Sequence, residues 1–456
     1  MADRLDGNFA PITTETEVAN LPVIGGLPAA LHGALLRNGP NPQFPSGHPG
    51  AHWFTGDGML HAVRIADGRA SYGNRWVRTP KFLAERATGH GLYAGYAGEV
   101  DLAAPARSFA GGVANTNVVW HAGRLLALEE QHLPVELDPV TLETVGICDF
   151  DGALNGPFTA HPKIDPATGE MLFFGYHVGE SRGPGLHWGV IDTHGRLSRL
   201  EHFPAPYASM VHDFIVTAEH VVFPIMPLTA SLARVQAGRP AYLWEPGAGA
   251  FVGVMRRDAG IASLRWYRGE ACFVFHVMNA WDDGTSIVAD VMQYEAPALF
   301  PRADGVPPPA VADARLVRWT LDLSGATDRL AMTPLDDLGG EFPRIDDRLA
   351  GRPNRHGWTA ANTQERDMAA IAHFDLKTGS RSLWLLPEGD AVSEPVFVPR
   401  SEQEGDGWLL AIAWRAREAA SDLVVLDALS VTDGPVGSVR LPNRVPFGFH
   451  GNWIAA

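Results

Sequence analysis

From about Val113 onward the chain is a succession of short apolar runs, each stopped by turn residues: Arg124–Leu128, Met171–Tyr176, Val221–Ile225, Ala271–Val277, Leu316–Leu323, Leu409–Trp414 and Leu423–Leu426. Runs this short, rich in branched and aromatic residues, predict strands. Between them recur Asp165-Pro-Ala-Thr-Gly169, Asp192-Thr-His-Gly195 and Asp375-Leu-Lys-Thr-Gly379. The Asp and Gly of these segments suit tight turns, so neighbouring strands are expected to pair as hairpins. Helical periodicity is scarce. Leu27–His32, Thr79–Ala87 and Ala230–Ala237 are the better candidates, too few for the alternating strands and helices of a parallel sheet. The expected class is therefore all-β. Many short antiparallel strands must hide their edges, and radial repetition of four-stranded blades does so while leaving an axial channel. A β-propeller is the leading architecture, although a large sandwich would show similar runs. Phe300–Asp313, rich in Pro and Ala, reads as an exposed loop.

Composition narrows the function classes. The chain has 456 residues, 46% of them hydrophobic, enough to bury one large core or two ordinary ones. Asp and Glu number 52 against 36 Lys and Arg, a formal charge of -16, which would repel phosphate backbones and makes a nucleic-acid partner unexpected. Cys148 and Cys272 lie far apart, each in an apolar run, so neither a disulfide framework nor a thiolate metal site is expected. Met1–Pro11 carries Asp3, Arg4 and Asp6 and lacks the apolar core of an export signal, so a cytoplasmic location is expected. No apolar run approaches the roughly 18 residues of a membrane-spanning helix.

Eighteen histidines occur, and no HExxH joins any two of them. Four sit in apolar or aromatic settings near expected strand ends: Phe158-Thr-Ala-His161, Met210-Val-His212-Asp-Phe214, Phe273-Val-Phe-His276 and Phe447-Gly-Phe-His450. Ligands scattered over the whole chain suit an axial metal, since each blade offers one residue to the centre, and imidazole suits divalent iron. The other reading is four core histidines satisfied by backbone groups.

These four contexts, in their order along the chain, resemble the histidine motifs of the carotenoid cleavage oxygenase family. Further segments resemble that family too: Trp53-Phe-Thr-Gly-Asp-Gly-Met59, Glu129-Glu-Gln-His-Leu-Pro-Val-Glu-Leu-Asp-Pro139, Gly340-Glu-Phe-Pro-Arg-Ile-Asp346 and Ser393-Glu-Pro-Val-Phe-Val-Pro-Arg400. The resemblance covers nearly the whole chain. It implies one domain over residues 1–456, a seven-bladed propeller capped by loops and short helices, and Fe(II) held by His161, His212, His276 and His450. It also implies that Glu130, Glu341 and Glu394 accept the distal N–H of three of these histidines, with His161 left without such a partner. The implied activity is cleavage of a carbon–carbon double bond with O2 to two carbonyl products.

Within the family, Phe223-Pro-Ile-Met-Pro-Leu-Thr-Ala-Ser-Leu-Ala-Arg234 and Tyr242-Leu-Trp-Glu-Pro246 resemble the bacterial branch that cleaves lignostilbene and isoeugenol. That implies a phenol-conjugated alkene as substrate, with Phe54 and Phe273 as flanking aromatics and Tyr96 at the phenol oxygen. One residue departs: Glu129 stands where lignostilbene enzymes carry a lysine. A carboxylate there would accept a hydrogen bond from a neutral phenol and repel a phenolate. Cleavage of an apocarotenoid is the alternative within the family. Outside it stand a propeller hydrolase using calcium, which would need a shell of oxygen ligands, and a non-catalytic binding propeller.

Overall fold

Met171–Tyr176, His220–Ile225 and His356–Ala361 are buried at every position. A strand covered on both faces needs apolar residues on both, which is why the sequence shows continuous runs where a half-exposed sheet would alternate. In the computed structural model, which describes residues 6–44, 53–92, 112–179, 182–308, 313–363 and 366–456, the described strands form eight antiparallel sheets, seven of them arranged as the blades of a propeller and the eighth a two-stranded pair of Leu228–Ala230 with Tyr242–Trp244.

Blade 1 runs from Gly451–Ala455 at the axis through Gly33–Pro40, Gly58–Ala66 and Arg69–Trp76 to Glu17–Val18. Blade 2 spans Asn117–Ile147, blade 3 Lys163–Pro204, blade 4 Ile215–Gly269, blade 5 Phe273–Pro334 and blade 6 Gly340–Leu385. Blade 7 is built on Gly407–Arg415 and Ala420–Asp427, with Val396–Pro399 inside and Pro435–Arg440 outside. The ring closes twice. The last strand enters blade 1 beside Gly33–Pro40, and Val23–Gly25 adds to the outer edge of blade 7, so strands from both ends of the chain bridge one seam.

The apolar core lies between blades. One cluster joins Leu35, Val63 and Tyr72 of blade 1 to Leu410, Leu423 and Val439 of blade 7; another joins Leu60 of blade 1 to Val118 and Leu125 of blade 2. Trp358 of blade 6 stacks on Phe397 of blade 7 at 4.9 Å and donates its indole N–H to the Ala428 carbonyl at 2.8 Å. Packing thus runs around the ring, and the axis is free for polar groups.

Two of the expected helices form. Thr79 caps Pro80–Thr88 by accepting from the Phe82 amide, and Gly89, at φ 77°, closes it. Ser231 caps the shorter Leu232–Gln236. Leu27–His32 is not a helix. Pro28 to Leu31 form a single turn, and Leu27 and Leu31 are pinned in the seam between blades 1 and 7. With Gly25 and Gly26 before it and a strand from Gly33 after it, the segment is too short to nucleate a helix. No described helix is long and apolar enough to cross a membrane.

Candidate metal centre

The inner strands aim residues from all seven blades at the axis. His161 lies two residues before the first strand of blade 3, His212 three residues before that of blade 4, and His450 directly before the axial strand of blade 1. His276 lies within Phe273–Asp283 of blade 5, at a bulge where the pairing register shifts between Val274 and Val277. A bulge turns a side chain off the regular alternation of the strand. Glu130 follows the second strand of blade 2, Glu341 lies in the first strand of blade 6, and Glu394 precedes Val396–Pro399 in blade 7. No two of these residues need be neighbours in sequence, because the ring brings all seven blades to one point.

The four histidines each offer one nitrogen, all within 4.8 Å of one another. His161 Nε2 and His212 Nε2 lie 3.0 Å apart. On their far sides, His212 Nδ1 meets Glu130 Oε2 at 2.9 Å, His276 Nδ1 meets Glu341 Oε2 at 2.6 Å, and His450 Nδ1 meets Glu394 Oε1 at 3.0 Å. An ionised carboxylate can only accept, so each Nδ1 carries its proton and each Nε2 presents a lone pair to the centre. His276 Nε2 is buried without any hydrogen-bond partner. A buried, converging set of lone pairs is costly unless something electrophilic sits among them, and this donor set fits a borderline transition-metal cation. The oxygen-ligand shell of a calcium site is not what the axis provides.

The carboxylates are themselves held. Tyr176 donates to Glu130 Oε1 at 2.8 Å, Tyr294 to Glu341 Oε1 at 2.7 Å, and the Gly451 amide to Glu394 Oε2 at 2.8 Å. Arg344 lies 3.4 Å from Glu394 Oε1. Burial would push the Glu394 carboxyl up, yet the His450 N–H, the Arg344 charge and the Gly451 amide outweigh it and hold it at about 2. His161 lacks a carboxylate partner. Burial, and then the three other imidazoles, hold it well below the usual histidine range, so it stays neutral. Tyr176, Tyr294 and Arg344 escape a reading of the sequence. Each is an ordinary strand residue whose role appears only when two blades meet.

One flank of the cluster is aromatic. Phe275 sets its ring edge-on to His212 at 5.1 Å, and Phe342 stacks on His276 at 5.4 Å and meets His450 at 5.3 Å. Phe342 has φ 56°, a left-handed conformation that costs a non-glycine residue about 1–3 kcal/mol and concentrates at functional sites. Phe273, expected as the flanking ring, is only 1% exposed and sits behind Phe275, with ring centroids 4.7 Å apart. Phe54 belongs to a cluster with Trp53 and Phe449, next to His450. Tyr96 lies outside the described residues.

Glu129 points away from the cluster. Its Oε2 accepts from the Val113 and Ala114 amides at 2.6 and 3.3 Å, and its Oε1 pairs with His132 Nδ1 at 3.3 Å. Burial opposes ionisation of both, but the His132 charge draws Glu129 below its usual value and the Glu129 charge draws His132 above its own. The His132 contribution to stability is therefore full below its ordinary pKa of 6.5 and is lost as pH rises through its raised folded value; that of Glu129 is full above 4.5 and is lost in acid. Replacing Glu129 with Gln should lower the melting temperature most between about pH 5 and 6.5 and less at pH 9. An equal loss at both pH values in thermal melts would contradict the ion pair.

Comparison with known proteins places this site in context. The family model described as retinal pigment epithelial membrane protein matches residues 9–455. The isoeugenol monooxygenase of Pseudomonas nitroreducens is 38% identical, over 99% of this chain and 98% of the relative. Lignostilbene-alpha,beta-dioxygenase isozyme III of Sphingomonas paucimobilis is 36% identical, over 99% and 97%. The crystal structure of Pseudomonas brassicacearum lignostilbene dioxygenase superimposes with a TM-score of 0.94 at 37% identity, covering 99% of this chain and 98% of the other.

Proposed function

Since the chain belongs to the retinal pigment epithelial membrane protein family of carotenoid oxygenases, we propose that it is an oxygenase that uses O2 to cleave the carbon–carbon double bond of a phenol-conjugated alkene. The substrate is of the isoeugenol or stilbene type, the products are two carbonyl compounds, and Fe(II) is held by His161, His212, His276 and His450. The observation that carries this reading is the convergence of four imidazoles, three of them pinned by buried carboxylates. Relatives at 36–38% identity over the full length are an isoeugenol monooxygenase and a lignostilbene dioxygenase.

Bound iron(II) supplies the one-electron chemistry that makes dioxygen reactive toward an electron-rich alkene. Everything else falls to the chain. Glu130, Glu341 and Glu394 keep a proton on each Nδ1, so the imidazoles stay in one tautomer and cannot swing. Their three negative charges also offset the charge that four neutral imidazoles would leave on a divalent ion. Phe275 and Phe342 form apolar walls beside the imidazoles, where a planar alkene can stack and water is unwelcome. Positioning is the main task.

Glu129 bears on the substrate by what it does not do. It brings no cation to a phenol, and its oxygens already serve two amides and His132. The reading is tested by aldehyde formation in air from isoeugenol and 4-hydroxystilbenes, with an apocarotenal alongside, by the Fe(II)-loaded protein. Cleavage of an aromatic alkene is the expected result. Cleavage of the apocarotenal alone would overturn the substrate class, and no cleavage of any alkene would overturn the activity.

A further inference from the structure

On the proposed reading that the four histidines hold a metal, a second question follows: how the ion gets in. A cavity of about 850 Å³ reaches His161, His276 and His450 at its inner end and opens among exposed residues of the blades, including Ala167 and Ala218. Asn117, Lys163, Asp213 and Asn452 line it between these limits. Among the described residues its lining includes none of Phe54, Phe275 and Phe342. The centre is therefore two-sided, with aromatic rings on one flank and, on another, a channel to the surface whose walls mix charged and amide side chains with apolar ones.

We propose that this channel is the route by which a hydrated divalent cation reaches and leaves the four histidines. Stripping all its water from a dication at once is prohibitive, so the ion will favour a path whose walls can replace water ligands one at a time. The Asp347 and Asp213 carboxylates and the Asn452 amide oxygen keep acceptor capacity beyond their bonds to Arg344, Lys163 and the Val277 amide; the rings of Phe275 and Phe342 have none. Most of the fixed charges along the channel are also paired. Lys163 meets Asp213 at 2.7 Å, Arg257 meets Asp165 at 2.7 Å, and Arg344 lies 3.4 Å from Glu394. Balanced pairs leave a dication neither a deep trap nor a high barrier on its way to the axis. The alkene, being apolar, has no reason to share this path.

The test plugs the mouth reversibly. The native thiols Cys148 and Cys272 are buried, at 3% and 2% exposure, so a cysteine introduced by Ala218→Cys or Ala167→Cys is the accessible one. Each variant is modified with a bulky methanethiosulfonate, and Co(II) uptake by the apoprotein is followed by its visible absorption, with loss to a chelator measured separately. The expected result is uptake and loss both slowed about tenfold by the plug, restored after reductive removal of the label, with unchanged final Co(II) content and unchanged KM for the alkene. Uptake and loss unaffected by either label would overturn the channel as the route. A rise in alkene KM together with slowed uptake would overturn the separation of the two paths, since substrate and metal would then share one. Failure of the unlabelled protein to bind Co(II) at all would instead overturn the metal site itself.

Discussion

Replacing His212 with alanine is expected to abolish stoichiometric metal and reduce alkene turnover to background while leaving the propeller folded. His212 offers one of four converging nitrogens, and its Nδ1 is the partner of Glu130. Loss of a group that only orients a ligand already costs about 10–100-fold in metal affinity, so loss of the ligand must cost at least that. The fold should survive because His212 lies before the strand Ile215–Val216 and contributes to no apolar cluster between blades. Metal analysis and far-ultraviolet circular dichroism on the same preparation decide the matter. Full metal content in the variant would show that these imidazoles are not the ligands, and His450→Ala is expected to lose its metal in the same way.

The second large effect is expected at Glu394. Removing its side chain by Glu394→Ala leaves the His450 N–H without an acceptor, the Gly451 amide unpaired and Arg344 facing an uncompensated gap. All of this happens in a buried site, since Glu394 is 4% exposed. Breaking a buried pair from one side typically costs about 3–5 kcal/mol. Remaining contacts of Arg344 with the Gly451 carbonyl, Asn452 and Asp347 should keep the loss toward the lower end. Metal affinity should fall about 10–100-fold as the His450 ring loses its orientation. Glu394→Gln should fall between, because an amide oxygen can still accept from His450 while its NH2 would oppose the Gly451 amide. The sign with pH follows from the depressed carboxyl: its contribution is full above the ordinary value of 4.5 and fades only as pH falls toward about 2. Denaturant melts and metal titrations of the three proteins at pH 7 test this order, and wild-type affinity in Glu394→Ala would refute it.

The expected strands stand where their apolar runs lie, in places to the residue: Arg124–Leu128 and Met171–Tyr176 are strands with those bounds. Strands buried on both faces write themselves into sequence as unbroken apolar stretches, and Asp and Gly mark the hairpins between them. The same local signals found the helix after Thr79, whose cap and closing glycine lie within one short segment. They misread Leu27–His32, where two leucines at helical spacing serve a seam between blades at opposite ends of the chain. Nothing local distinguishes those two uses of the same spacing.

The chemistry divides in the same way. The four histidines and three glutamates were legible through the motifs around them, because residues near strand ends at an axis sit in recurring local company. The aromatic flank was not: Phe273 and Phe275 are two positions apart on one strand, and the register shift after Val274 leaves Phe275 beside His212 and Phe273 behind it. Glu129, next to Glu130 in sequence, faces the other way and serves an ion pair with His132. What the sequence by itself determined was the kind of element at each place and the residue types that could meet at the axis, since hydrophobic period, turn chemistry and motif are local properties. Only the tertiary structure decided which side chains meet, which carboxylate serves which imidazole and where the centre opens to the surface, because blade curvature, bulges and ring closure are set by packing between segments hundreds of residues apart.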